Sequence, residues 1–173
     1  PVQPSASNPA TFLDAEGNTV SGTSILATSG GKEVGTFNLD PATGRVTFTP
    51  NKSFVGTVDP VNLQVNDASG KPHRATYQPT VTRVVPTGQN ASSEGIQGAE
   101  QSGNLVFTPG DSRVPIDEAV APTFDNGKST KEVPGVGTYA VDNTGRVTFQ
   151  PLPGYTGRPN PETVKRVDKN GTG

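Results

Sequence analysis

The chain has 173 residues, with 14 Lys+Arg against 16 Asp+Glu for a formal net charge of −2, one histidine, and no cysteine, methionine or tryptophan. A near-neutral chain without a basic run has no electrostatic footprint for nucleic acid or an anionic membrane, and a chain without cysteine has no disulfide, no thiolate nucleophile and no Cys/His zinc site. The 21 Gly and 17 Pro, together with 22 Thr and 20 Val, exclude helical bundles and coiled coils and favour pleated strands. No apolar run approaches the ~18 residues that a membrane-spanning helix needs.

Taken in chain order, the signals are those of strands and tight turns. Residues 35–39 alternate apolar and polar and run into Asp40-Pro41-Ala42-Thr43-Gly44, where Asp initiates a turn, Pro presets φ and Gly supplies a positive φ. Residues 45–49 then alternate with period two, which predicts a β-hairpin with Val46 and Phe48 on its buried face. Pro50 ends that strand because it cannot donate to a ladder. Residues 61–65 alternate again, Asp67-Ala68-Ser69-Gly70 turns the chain, and residues 74–81 form a further strand. A boundary falls near Arg83-Val84-Val85-Pro86, a short and stiff junction. Residues 87–102 are polar and Gly/Ser/Gln-rich, either a loop or the strand-poor start of a second unit, and residues 104–109 read as one strand. Residues 137–141, the turn Asp142-Asn143-Thr144-Gly145 and residues 146–150 form a second hairpin, with Val147 and Phe149 inward and Pro151 at its end.

These two hairpins belong to one repeated unit. GTFNLDPATGRVTFTPNKSFVGTVDPVNLQVNDASG at 35–70 and GTYAVDNTGRVTFQPLPGYTGRPNPETVKRVDKNG at 137–171 come into register after one deletion. Gly44-Arg45-Val46-Thr47-Phe48 then falls on Gly145-Arg146-Val147-Thr148-Phe149, and Phe54, Gly56, Pro60, Asp67 and Gly70 fall on Tyr155, Gly157, Pro161, Asp168 and Gly171. A period of about a hundred residues marks a tandem domain array, not a short-period solenoid. The expected architecture is all-β: two tandem β-sandwich-like repeat domains arranged in line, residues 1–85 and 86–173. Repeat one lacks a counterpart of residues 86–112, and repeat two lacks one of residues 74–81. The abrupt ends at Pro1 and Gly173 read as those of an excerpt. Alternatively, each half is already complete, or another chain donates the missing strand.

The first repeat resembles the CshA-type fibril repeat of bacterial surface adhesins: Gly-Thr-aromatic, an Asp-initiated Gly turn, Val-Thr-Phe-x-Pro, aromatic-x-Gly, a Val-rich strand and Asp-x-x-Gly. The second repeat carries the hairpin and Tyr155-x-Gly157 but departs at Val164-Lys165-Arg166-Val167, where the apolar alternation breaks. The resemblance implies β-rich stalk repeats of an extracellular, cell-wall-attached fibril, with neighbouring repeats of the same polypeptide as partners. The alternatives are an adhesion module that contacts a host protein or glycan through loops and an accessory β-domain of a secreted hydrolase.

No residue stands out as catalytic, cofactor-binding or metal-ligating, so the chain is read as a non-enzyme without cofactor. His73, beside Pro72, reads as an exposed turn residue with no positioned nucleophile around it. Asp67-Ala68-Ser69-Gly70, Asp142-Asn143-Thr144-Gly145 and Asp168-Lys169-Asn170-Gly171 are hairpin turns before they are calcium loops, since none has the alternating oxygen ligands and closing Glu of an EF-hand; a weak calcium site between repeats is the alternative. Asp117 and Glu118, neighbours on an expected strand, would point to opposite faces and form no acid/base pair. Gly30-Gly31-Lys32 and Gly135-Val136-Gly137 precede no helix and so are no phosphate loops. Lys32, Lys52 and Lys71 are candidates for Lys–Asn isopeptide crosslinks, though none has apolar flanks. The Asn-x-Ser/Thr triplets at Asn51, Asn90 and Asn170 carry meaning only in a eukaryotic secretory protein. Phe48 and Phe149 are the expected core anchors.

Overall fold

Alternating Val, Phe and Thr between glycine turns leave the backbone only extended segments to pair, and the computed structural model, which describes residues 1–173, contains strands and turns but no helix. The chain divides into two units, Pro1–Arg83 and Val84–Gly173.

The first unit comprises β1 (Thr11–Leu13), β2 (Ser24–Ser29), β3 (Lys32–Asp40), β4 (Arg45–Pro50), β5 (Gly56–Thr57), β6 (Val61–Asn66), β7 (Pro72–Tyr77) and β8 (Thr80–Val81). Two three-stranded antiparallel sheets, ordered β2-β3-β4 and β1-β6-β7, form the layers, and a short β5–β8 ladder lies beside them. Both layers feed one core: Phe12 and Val61 come from one sheet, Ala27, Val34, Phe37 and Leu39 from the other, and Val58 from the connection. The β2–β3 turn is Gly30-Gly31 with φ of 58° and 83°, the pair of positive φ values that a two-residue hairpin turn matched to strand twist requires.

The second unit comprises β9 (Thr87–Gln89), β10 (Gln101–Asn104), β11 (Val106–Thr108), β12 (Thr123–Phe124), β13 (Thr130–Val133), β14 (Gly137–Val141), β15 (Arg146–Pro151) and β16 (Val164–Lys165). Its main sheet is ordered β10-β15-β14-β13, with two-stranded ladders β12-β16 and β11-β9. Phe124, Ile116, Pro122 and Val141 are buried.

The two units repeat each other residue for residue where the sequences align. Phe37 pairs with Phe48 and Leu39 with Val46; Tyr139 pairs with Phe149 and Val141 with Val147. The opposite layer keeps its register too: Thr11 and Phe12 face Gln64 and Leu63, and Thr123 and Phe124 face Lys165 and Val164.

Three expectations are revised. Phe48 and Phe149 are half-buried, not core anchors; the fully enclosed aromatics are Phe12 and Phe124, 0% and 2% exposed. Phe48 lies on edge strand β4, whereas Phe37, 2% exposed, lies on central β3. Residues 104–109 are not one strand: Leu105 donates its N–H to the Gly145 carbonyl (2.9 Å), and the chain crosses there from the β15 ladder to the β9 ladder. Residues 74–81 are not one strand either: β7 ends at Tyr77 and pairs with β6, while Thr80–Val81 form β8 and pair with β5. The polar stretch 87–102 is the strand-poor start of the second unit, with β9 and the start of β10.

Candidate functional site

The repeated hairpin is the part of the molecule that both units build alike, and its glycine explains its sequence. Gly35 lies opposite Pro50 and Gly137 opposite Pro151. A Cβ on Gly35 would meet the Thr49 carbonyl oxygen and come within 2.8 Å of the Phe48 ring; a Cβ on Gly137 would meet the Gln150 carbonyl oxygen and come within 2.8 Å of the Phe149 ring. The second aromatic of each hairpin therefore lies across a bare backbone. It also packs on its cross-strand neighbour, with ring centroids 5.2 Å apart for Phe37–Phe48 and 4.6 Å for the stacked Tyr139–Phe149.

The Asp turns share one geometry. In Asp67-Ala68-Ser69-Gly70 the Asp N–H donates to the Lys71 carbonyl, Gly70 donates to the Asp67 carbonyl, and Asp67 Oδ1 accepts the N–H groups of Ser69 and Lys71, each at 2.9 Å. Asp142 does the same with Thr144 and Arg146, and Asp168 with Asn170 and Thr172. Asp14, not singled out from sequence, repeats it with Glu16 and Asn18. The fourth residue of each turn is Gly at φ between 78° and 87°, the left-handed position of a three-residue hairpin turn closed by a bulge. One carboxylate oxygen thus satisfies two backbone donors. The hydroxyl of Ser69, with His73 next, holds the Asp67 carboxyl well below the usual carboxylate range, and the Thr144 hydroxyl lowers that of Asp142.

His73 lies on β7 and not in a turn. Its side chain is 46% exposed, and Nε2 is 3.0 Å from Asp67 Oδ2. Asp117 and Glu118 lie in a turn region and not on a strand. They meet different cations: Asp117 accepts from Lys169 Nζ (2.6 Å) and Glu118 from Arg166 Nη2 (2.6 Å). Gly30-Gly31 and Gly135 are hairpin-turn residues, and Lys32, Lys52 and Lys71 are exposed, as are Asn51 and Asn90.

The departure in repeat two is where the structure adds most. Register places Lys131 opposite Tyr139 as Ile25 lies opposite Phe37, and Glu162 takes the position of Val61. Ile25 and Val61 both pack into the core of the first unit. Their counterparts form an ion pair, with Lys131 Nζ 2.5 Å from Glu162 Oε2 and 2.9 Å from Asp125. Glu162, then Asp125, raise the Lys131 pKa, and Lys131 in turn lowers that of Asp125. Arg166, in the position of Val65, is 6% exposed and clasps the Asn143 carbonyl (2.7 Å) and Glu118. Sequence alone shows the broken alternation at 164–167; the partners lie 31 and 48 residues away, too distant for any local pattern to reveal.

The sequence profile of the surface adhesin CshA repetitive domain matches residues 1–81 and again residues 83–173. The chain belongs to this family and is a tandem pair of surface-adhesin repeats. No curated protein and no solved structure matches it.

Proposed function

We propose that the chain is a non-enzymatic stalk segment of a bacterial, cell-wall-attached fibril, in which repetition supplies reach and antiparallel ladders supply mechanical strength. The observation that carries this reading is the shared framework: both units hold the same hairpin at the same register, closed by the same glycine and aromatic. Charged side chains that replace apolar residues of the first repeat are engaged inside their own unit, as Lys131 with Glu162 and Arg166 with Glu118. What is repeated is a scaffold, and its partners are the neighbouring repeats of the same polypeptide. Pulling the chain between its ends in a single-molecule force experiment tests this. Two discrete force peaks are expected, each releasing roughly 300 Å of extended chain, the contour of one unit. Extension without peaks would falsify the mechanical role.

A further inference from the structure

The turn that carries the chain from β12 toward β13 is built like the Asp turns, with Phe124 in the place of Asp. Phe124 donates its N–H to the Lys128 carbonyl (2.8 Å), Gly127 donates to the Phe124 carbonyl (2.9 Å), and Gly127 takes the left-handed position at φ 73°. The third position, held by Ser69 and Thr144 in two of the Asp turns, is Asn126. Its amide is engaged at both ends: Oδ1 accepts the Lys128 N–H (2.9 Å) and Nδ2 donates to the Thr130 carbonyl (3.0 Å). Asn126, Gly127 and Lys128 are exposed to water, whereas Phe124 is 2% exposed. An Asn followed by Gly is also the pair in which the next backbone nitrogen reaches the side-chain amide most easily, because glycine has no Cβ to hinder the approach.

We propose that Asn126-Gly127 is a self-modification site, gated by opening of this turn, at which loss of ammonia from Asn126 permanently weakens the second unit. The Gly127 nitrogen, giving its proton to water, attacks Asn126 Cγ. A C–N bond forms, the Cγ–Nδ2 bond breaks, and Nδ2 leaves as ammonia with the proton returned to it. Water then opens the five-membered imide at either carbonyl, leaving aspartate or isoaspartate and one new carboxylate. In the closed turn the Gly127 N–H is held by the Phe124 carbonyl and both ends of the Asn126 amide are fixed, so the ring closes only in the open fraction. Aspartate has no N–H for the Thr130 carbonyl and sets an oxygen against it. Isoaspartate also adds a carbon to the backbone of the turn, which then misfits the Phe124–Lys128 closure. Either product loosens the chain beside the enclosed Phe124. Service as a lasting record of pulling rests on the stalk reading; the chemistry does not.

The test incubates the intact chain at mildly alkaline pH, folded and in urea, and follows position 126 by peptide mass mapping, which separates it from Asn170-Gly171. Conversion should be about tenfold or more faster in urea than in the folded chain. The folded rate should rise together with hydrogen exchange of the Gly127 amide as sub-denaturing urea is added. Converted chain returned to buffer should show a lowered thermal midpoint for the second unit and an unchanged one for the first. Asn126→Ser, the residue of the Asp67 turn, should keep its midpoint through the same treatment. Equal rates in the folded and unfolded chain, no conversion at 126 in urea, or a converted chain whose second unit melts as before overturns the proposal. So does a fall in the Asn126→Ser chain as large as in the parent, which places the damage at Asn170. None of these outcomes bears on the force peaks that decide the stalk reading.

Discussion

At the residue scale, depth of burial separates aromatics that look alike in sequence. Phe12 sits in a short apolar run and Phe48 in one that alternates with period two, and such patterns tell which residues are apolar or share a face but not what covers them. Phe12 is sealed between two layers, whereas Phe48 lies on an edge strand and covers Gly35. Phe149 stays half-buried for another reason: its strand is internal, but its face lines an open groove. Phe12→Ala should therefore cost about 3–5 kcal/mol in the first unit, and Phe124→Ala the same in the second. Phe48→Ala should cost about 1–2 kcal/mol, in proportion to the smaller area it hides. Urea unfolding followed by amide signals from each unit checks this. A Phe48→Ala loss equal to that of Phe12→Ala would return Phe48 to the core.

At the scale of elements, the hairpins were legible and the sheets they join were not. Asp40 to Gly44 and Asp142 to Gly145 mark their turns with residues whose φ preferences allow little else, so strands β3, β4, β14 and β15 fall where alternation places them. The switch at Leu105 leaves no such mark, because a strand that changes sheets keeps its period. The glycine of each hairpin has a role that local propensity does not reveal: it lets an aromatic ring from the facing strand lie on the backbone. Gly35→Ala and Gly137→Ala should each destabilise their own unit by about 1–3 kcal/mol through overpacking. Gly154→Ala, with nothing within 4 Å of its added carbon, should be near neutral in the same melts. The exchange of Ile25 and Val61 for Lys131 and Glu162 gives a second test. Glu162→Val alone removes one partner of a largely enclosed pair and should lower the midpoint of the second unit. Adding Lys131→Ile recreates the apolar pair of repeat one and should recover that midpoint or exceed it. A double variant weaker than the single one would show that the two positions are not equivalent to those of the first unit.

At the scale of the whole molecule, each unit is closed by carboxylates that cap its own turns, and this makes acid a common weakness. Asp14 and Asp67 in the first unit and Asp111, Asp125 and Asp142 in the second are all held below the ordinary value of 3.8. The causes differ: the Asn18 backbone N–H for Asp14, the hydroxyls of Ser69 and Thr144 for Asp67 and Asp142, the Arg113 guanidinium for Asp111 and the Lys131 ammonium for Asp125. The turns at Asp67 and Asp142 were readable from Asp-x-x-Gly, but the protonation linkage was not, since it depends on which donors reach the carboxylate. A carboxyl depressed in the folded state binds fewer protons there than in the unfolded chain. Its contribution is complete above the unfolded pKa and is lost as pH falls through that value toward the folded one. Thermal midpoints should therefore be level from neutral pH to about 5 and fall below about 4 in both units. Asn accepts the same two backbone N–H groups without titrating, so Asp67→Asn should flatten the acid limb of the first unit and leave that of the second unchanged, and Asp142→Asn should do the reverse. Scanning calorimetry from pH 2 to 7 on the three chains decides it, and acid limbs that coincide in all three would place the proton-linked loss outside the turns.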